Sequence, residues 1–287
     1  MKNTFKKLFI SFTVLSLTAC GSTTMQDNTF AAKENKDFTK YTNQLVVEYA
    51  ENDYTTMHQF FEHPEDYGID INKVEVSLGE FYTDNTEEIK EDQKKLNKFN
   101  RSTLDKTQQT IYDELKYENE LSLKTENKKF QYLNNCWSTM SGLHQNLISV
   151  FSEYILRSEK DIQDLITLIN DVPRYTNDVL EYTKEQADKN TLQFDYDSVT
   201  QDIQDVINNK ENSSVTSALY NAIETLNLDE EKTTSYKAQV KEAMDTNFFP
   251  SYQAMLDTLT PLQSKVQPLQ GLSNYKNGKK YRSEERR

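Results

Sequence analysis

Three histidines and two cysteines, among many carboxylates, are the side chains of this 287-residue sequence that invite a chemical reading. His58 and His63, with Glu62 beside the second, are the first to weigh as metal ligands. A helix that holds zinc through two imidazoles spaces them four residues apart, because that spacing puts both on one face. These two are five apart, and Pro64 ends any helix at the second. A capping or surface role fits them better than a metal centre. Cys136 and His144 could pair as a thiol nucleophile and its base, but eight residues of non-helical chain neither require nor forbid contact. A single buried cysteine is usually inert packing. Asp195-Tyr196-Asp197, with Asp202 after it, hints at a calcium loop, yet the turn glycine and the closing bidentate glutamate are missing. Asp197 as a helix N-cap explains that pattern. Ser141-Gly142 keeps only the second glycine of a G-x-S-x-G nucleophile elbow, and no glycine loop of the phosphate-cradling kind occurs. The acidic runs at Glu87-Glu88 and Asp229-Glu230-Glu231 read as helix starts and solvated faces. Read this way, the sequence offers no catalytic residue and no metal ligand.

The elements that would position these residues are organised around the stretch from Thr107 to Pro173. It opens as an amphipathic helix with Leu104, Ile111 and Leu115 on one face. The helical period then fails through Phe130-Gln-Tyr-Leu-Asn-Asn-Cys-Trp137, a non-helical apolar run that holds the only tryptophan and is expected to be buried. The chain turns at Ser141-Gly142-Leu143 and passes through Leu147, Ile148, Val150 and Phe151. It re-enters helix at Ser158-Glu-Lys-Asp161, with Ile162, Leu165, Ile166 and Ile169 on one face and a stop near Pro173.

On the N-terminal side, a helix is predicted from about Asp37 to Ala50. Asn52-Asp53 caps a short second one ending near Glu62, and a loop opens at Pro64 and Gly68. Val74 to Leu78 alternates like a short edge strand or extended arm, and a thinly apolar surface helix starts at Thr86. Beyond Pro173, further helices are marked by Tyr175, Val179 and Tyr182, by Val199, Ile203, Val206 and Ile207, and by Val215, Leu219 and Leu226. Tyr236, Val240 and Met244 lead into Phe248-Phe249-Pro250, where the proline should kink or restart the last element; Pro261 and Pro268 end it. The expected fold is all-α, an irregular multi-helix bundle with at most a short hairpin or extended arm.

Residues 1–20 form a lipoprotein signal peptide. Lys2, Lys6 and Lys7 give a basic start, Leu8 to Leu17 a short apolar run, and Leu17-Thr-Ala-Cys20 a bacterial lipobox. The apolar run is about half of what a bilayer-spanning helix needs. The Cys20 thiol would accept a diacylglyceryl group, and small Ala19 would admit the signal peptidase at the cleavage site. Two acyl chains anchor stably, at about 0.8 kcal/mol per buried methylene. Residues 21–35 read as a flexible tether, residues 36–281 as one helical domain, and residues 282–287 as a divergent tail. The expected location is the cell membrane, lipid-anchored through acylated Cys20 on the extracytoplasmic face. Cys136 is then the one remaining thiol, so no intrachain disulfide is expected despite that address.

Composition agrees with helix: six glycines and five prolines are too few for a chain of strands and tight turns. A net charge of −13 argues against nucleic acid as a partner, whose phosphates need a basic surface, and against a domain lying flat on anionic lipid.

The order of these features resembles the N-terminal half of the bacterial "domain of unknown function 885" family, lipoproteins or soluble enzymes related to zinc carboxypeptidase-like peptidases. The resemblance rests on the tyrosine-rich helix, the aromatic run, Ser141-Gly-Leu143, Ser158-Glu-Lys-Asp-Ile162 and Val172-Pro-Arg-Tyr175. Two flanking segments fit as well, His63-Pro-Glu-Asp-Tyr-Gly-Ile69 and Leu272 to Tyr281. It extends over about residues 36–281. In that family a helix beginning His-Glu supplies zinc ligands and a general base. No His-Glu pair occurs here, so the resemblance transfers no catalytic or metal residue, and zinc is expected only in a complete family member. It implies the helical region of a membrane-anchored, zinc-dependent peptidase-like lipoprotein, inactive by itself. Its partner would be a catalytic half, missing from a chain cut short, or another protein. The alternatives are a non-enzymatic helical surface lipoprotein that binds peptide, cell wall or a protein partner, and a spacer. A spacer would carry sustained heptads, and none is found.

Overall fold

The computed structural model describes residues 33–81, 85–125, 128–269 and 271–285. The expected signal peptide, with Ala19 and Cys20, and most of the expected tether lie outside the described residues. Eleven α-helices occur among those described: α1 (Lys36–Asn52), α2 (Tyr54–Phe60), α3 (Thr86–Leu96), α4 (Lys106–Thr125), α5 (Leu143–Ser152), α6 (Glu159–Asp188), α7 (Tyr196–Asn208), α8 (Ser214–Thr225), α9 (Glu230–Ala243), α10 (Phe249–Leu262) and α11 (Gly278–Glu285). No strand forms among the described residues. The nearest thing to one is a single bridge between Gln193 and Gln267. The expected all-α architecture is therefore found, and Val74 to Leu78 is an extended arm rather than a strand.

Helix α6 is the axis of the molecule. Its N-terminus carries a capping box, in which Asp161 Oδ2 accepts from the Ser158 backbone N–H at 2.7 Å. Ile162, Leu165, Leu168, Ile169 and Val172 are fully buried along one face. That face continues through Thr176, Val179 and Leu180, straight past Pro173. The expected stop at Pro173, with a new helix after it, is thus wrong: one 30-residue helix runs through. An interior proline costs about 3 kcal/mol. The unbroken buried stripe on both sides outweighs that, since each large apolar side chain buried contributes about 1.5–3 kcal/mol.

Helices α9 and α10 pack against α6, α7 packs on α10, and α8 bridges α5 and α9. Pro250 falls in the first turn of α10, where the last element restarts as expected. A π-turn over Met244–Phe248 joins α9 to α10, and the Phe249 N–H reaches back to the Met244 carbonyl. The wider turn accommodates the proline, whose ring would collide with a carbonyl in a regular helix. Phe248 and Tyr252 from this junction pack inside the core, with Phe151 edge-on to Phe248.

A smaller cluster sits apart. Phe38, Leu96, Leu104 and Tyr112 bury one another between α1, α3 and α4. Helix α3, expected on the surface, buries Ile89, Asp92 and Leu96 against α4. Leu104 lies just before α4; Tyr112 is the buried hydrophobic of that helix, and Ile111 and Leu115 pack half-buried against the same cluster.

Candidate ligand-binding groove

The apolar anchors of the non-helical segment between α4 and α5 are buried as expected: Phe130, Leu133 and Trp137. Buried irregular backbone must find hydrogen-bond partners, and α6 supplies them. Tyr182 Oη donates to the Gln131 carbonyl at 2.6 Å, and Gln186 Nε2 donates to the carbonyls of Tyr132 and Asn134 at 3.0 and 2.7 Å. Trp137 Nε1 donates to Thr183 Oγ1 at 2.9 Å. This strapping leaves Asn134, Asn135 and Cys136 facing a cavity of about 540 Å³.

The opposite wall of that cavity is the arm. Asp171 Oδ2 accepts from the Leu78 N–H at 2.8 Å, and Arg174 Nη2 donates to the Gly79 carbonyl at 2.7 Å. Gly79 has φ 77°, a left-handed turn that glycine enters without strain. It sends Phe81 back onto α6, edge-on to Tyr175 at 6.4 Å and Tyr182 at 5.2 Å between ring centroids. The remaining walls are Tyr49 at the end of α1, Asp53 and Thr55 at the start of α2, and Asn146, Ser149 and Val150 on α5. A second cavity of about 220 Å³ shares Thr55, Ser149 and Val150 with the first and continues to His58 and Tyr154. The two adjoin between α2 and α5 as one groove, whose lining mixes carboxamides, hydroxyls and tyrosines with aliphatic side chains such as Leu143, Leu147 and Val150.

Electrostatics at the deep end follow from burial. Tyr175 and Tyr49 are both held above the ordinary phenol range, chiefly by burial, and Asp53 pushes each further in the same direction. Asp53 is also the N-cap of α2; its Oδ1 accepts from the Thr56 N–H at 3.0 Å and from Thr55 Oγ1 at 2.8 Å.

The residues singled out in the sequence scatter. His58 is buried, not a cap or surface group: Nε2 donates to the Ile155 carbonyl at 2.7 Å, and its ring stacks on Tyr154 with centroids 4.5 Å apart. Tyr54 Oη donates to Asp164 at 3.0 Å and lies 2.8 Å from Tyr154 Oη. Burial lowers the His58 pKa, against the opposing pull of the Ile155 carbonyl. His63 is exposed, with Nδ1 3.5 Å from Glu65. Cys136 lines the groove, whereas His144 points into the core against Trp137 and Asp202. Asp195, not Asp197, caps α7 through the Ser198 N–H. The structure explains Gly142 by crowding: a Cβ there would fall 2.6 Å from the Ser138 carbonyl. Among the described residues no three His, Cys, Asp or Glu side chains gather in a metal-holding arrangement. With no His-Glu pair in the chain, the donor set does not fit the zinc centre that the resemblance brings to mind. Sequence reading missed Asp53, Tyr49 and Tyr175 as groove residues, because the first looked like a cap and the others like core.

Comparison with known proteins adds the family. A profile described as "Bacterial protein of unknown function (DUF885)" matches residues 72–283. The chain belongs to this family. Its fold matches a crystal structure described as "the putative lipoprotein from Colwellia psychrerythraea", with a TM-score of 0.66 at 14% identity, covering 85% of this chain. The chain spans 45% of that protein's length. No curated protein matches the sequence. Among the described residues no helix is long and apolar enough to cross a membrane.

Proposed function

We propose that this DUF885 member is a lipid-anchored extracytoplasmic protein whose groove binds an extended peptide. The groove carries the reading. Its walls present carboxamides and hydroxyls at Asn134, Asn135, Asn146, Thr55 and Ser149, groups that both donate to and accept from a peptide backbone. At about 540 Å³ its main cavity is of ligand-binding size. The arm beside it is extended and fixed to α6, so it forms a rigid wall. The resemblance to zinc carboxypeptidase-like proteins supports the choice of peptide, with this chain supplying binding rather than the metal centre. Leu17-Thr-Ala-Cys20 supports the anchor.

Titrating the purified protein with labelled unstructured peptides should give saturable binding that Asn135→Leu weakens. Absence of binding to any peptide would remove this reading. The anchor is tested separately: Cys20→Ala should abolish fatty-acid labelling and release the protein from membranes.

A further inference from the structure

The groove has a sign as well as a shape. Among the described residues no lysine or arginine lines either cavity, whereas Asp53, Glu80 and Glu153 do. Arg174, which holds the end of the arm, is committed elsewhere. Its Nε and Nη2 hold Asp171 at 2.6 and 2.8 Å, Nη1 holds Asp178 at 3.1 Å, and Nη2 also reaches the Gly79 carbonyl. His58, at the far end, is buried and bonded to the Ile155 carbonyl. Asp53 takes both of its capping bonds on Oδ1, which leaves Oδ2 for an incoming donor. Tyr49, Phe81 and Tyr175 line the same cavity, and Phe81 and Tyr175 meet edge-on. Aromatic rings beside a carboxylate favour a cation, because the ring faces are electronegative and the carboxylate supplies the counter-charge. The net charge of −13 draws cations toward the protein as a whole.

We infer that the groove selects basic peptides, seating a lysine or arginine side chain beside Asp53 among the rings of Tyr49 and Tyr175. This rests on the peptide reading and adds its specificity. The same features disfavour a peptide's C-terminal carboxylate or a phosphate at that place, since neither would find a cation there.

The test uses three labelled peptides of one length and one neutral background, with Lys, Gln or Glu at a central position. Binding to the intact protein is followed by anisotropy. The Lys peptide should bind about tenfold more tightly than the Gln peptide, and the Glu peptide most weakly. Asp53→Asn should bring the Lys and Gln affinities within about twofold of each other; Asn caps a helix as well as Asp does, so α2 should persist. Wild-type protein gives a second measurement that no variant's folding can confound: raising salt from about 0.05 to about 0.5 M should narrow the Lys preference. Equal binding of Lys and Gln peptides, or a preference indifferent to salt, would overturn the inference and leave peptide binding standing. A preference that survives in folded Asp53→Asn would overturn the assignment to Asp53. No binding by any of the three would overturn the peptide reading itself.

Discussion

One buried histidine lies at each end of α5, and the two are housed in opposite ways. At the C-terminal end, His58 is bonded to the Ile155 carbonyl and stacked between Tyr54 and Tyr154. Around it, Tyr54 donates to Asp164, Lys160 pairs with Asp164, and Arg157 Nη1 donates to the His58 carbonyl. At the N-terminal end, His144 is 1% exposed and neither ring nitrogen has a hydrogen bond. Asp202 Oδ2 stands 3.6 Å from Nε2, too far for one, and the ring lies nearly parallel to Trp137 with centroids 6.3 Å apart. The first site is a polar network whose members need one another. The second is a packing position against Trp137 whose one charged neighbour, Asp202, stands beyond hydrogen-bond distance. Residue type alone does not say which is which; the partners do.

The largest expected effect is in the second site. Trp137→Ala removes the biggest fully buried side chain and its bond to Thr183, and should cost about 3–5 kcal/mol, read from urea midpoints by circular dichroism. A loss under about 1 kcal/mol would mean that the segment from Phe130 to Trp137 is not the firm wall that the groove requires.

The two histidines should then part in sign. His58→Phe leaves the Ile155 carbonyl without its donor and should destabilise by about 1–3 kcal/mol. His144→Phe exchanges two unsatisfied buried nitrogens for carbon in a stacked position and should be neutral or stabilising by up to about 1 kcal/mol. Equal losses in both would break the contrast.

How much of this was legible beforehand follows the same line. Apolar spacing located α1, α7 and α8, a cap signal located α2, and the irregular run around Trp137 was readable as buried because a large apolar set broke the helical period. Pro173 misled because a local rule about proline met a stripe of core residues continuing on both sides, and burial decided. Asp53 was legible as a cap but not as a groove residue, since that depends on Gly79 folding the arm back across it. His58 was weighed against His63, its neighbour in sequence, whereas its partners are Tyr154 and Ile155, nearly a hundred residues on.

The last effect is a pH dependence that both histidines should share. Burial is the first cause that lowers each pKa below the usual 6.5, and Asp161 and Asp202 respectively only oppose it. In the unfolded chain both titrate near pH 6.5. As pH falls through that value the unfolded state takes up protons that the folded state refuses, so stability present above about pH 6.5 is lost on acidification. The carboxylates held low by their partners, Asp113 by Arg101, Glu159 by Lys232 and Asp188 by Lys265, lose their contribution only near the ordinary carboxylate range, well below this window. Comparing urea midpoints at pH 7.5 and 5.5 therefore reads mainly the imidazoles, with Glu118, raised by burial and by Glu114, acting in the opposite direction. The limiting slope is about 1.4 kcal/mol per pH unit for each histidine that stays neutral when folded. His144→Phe should remove one share of that loss while keeping its own stability at neutral pH, and His58→Phe should remove the other share from a lower starting point. A wild-type protein equally stable at both pH values would show that neither site excludes its proton, and the contrast between the two ends of α5 would then rest on hydrogen bonding alone.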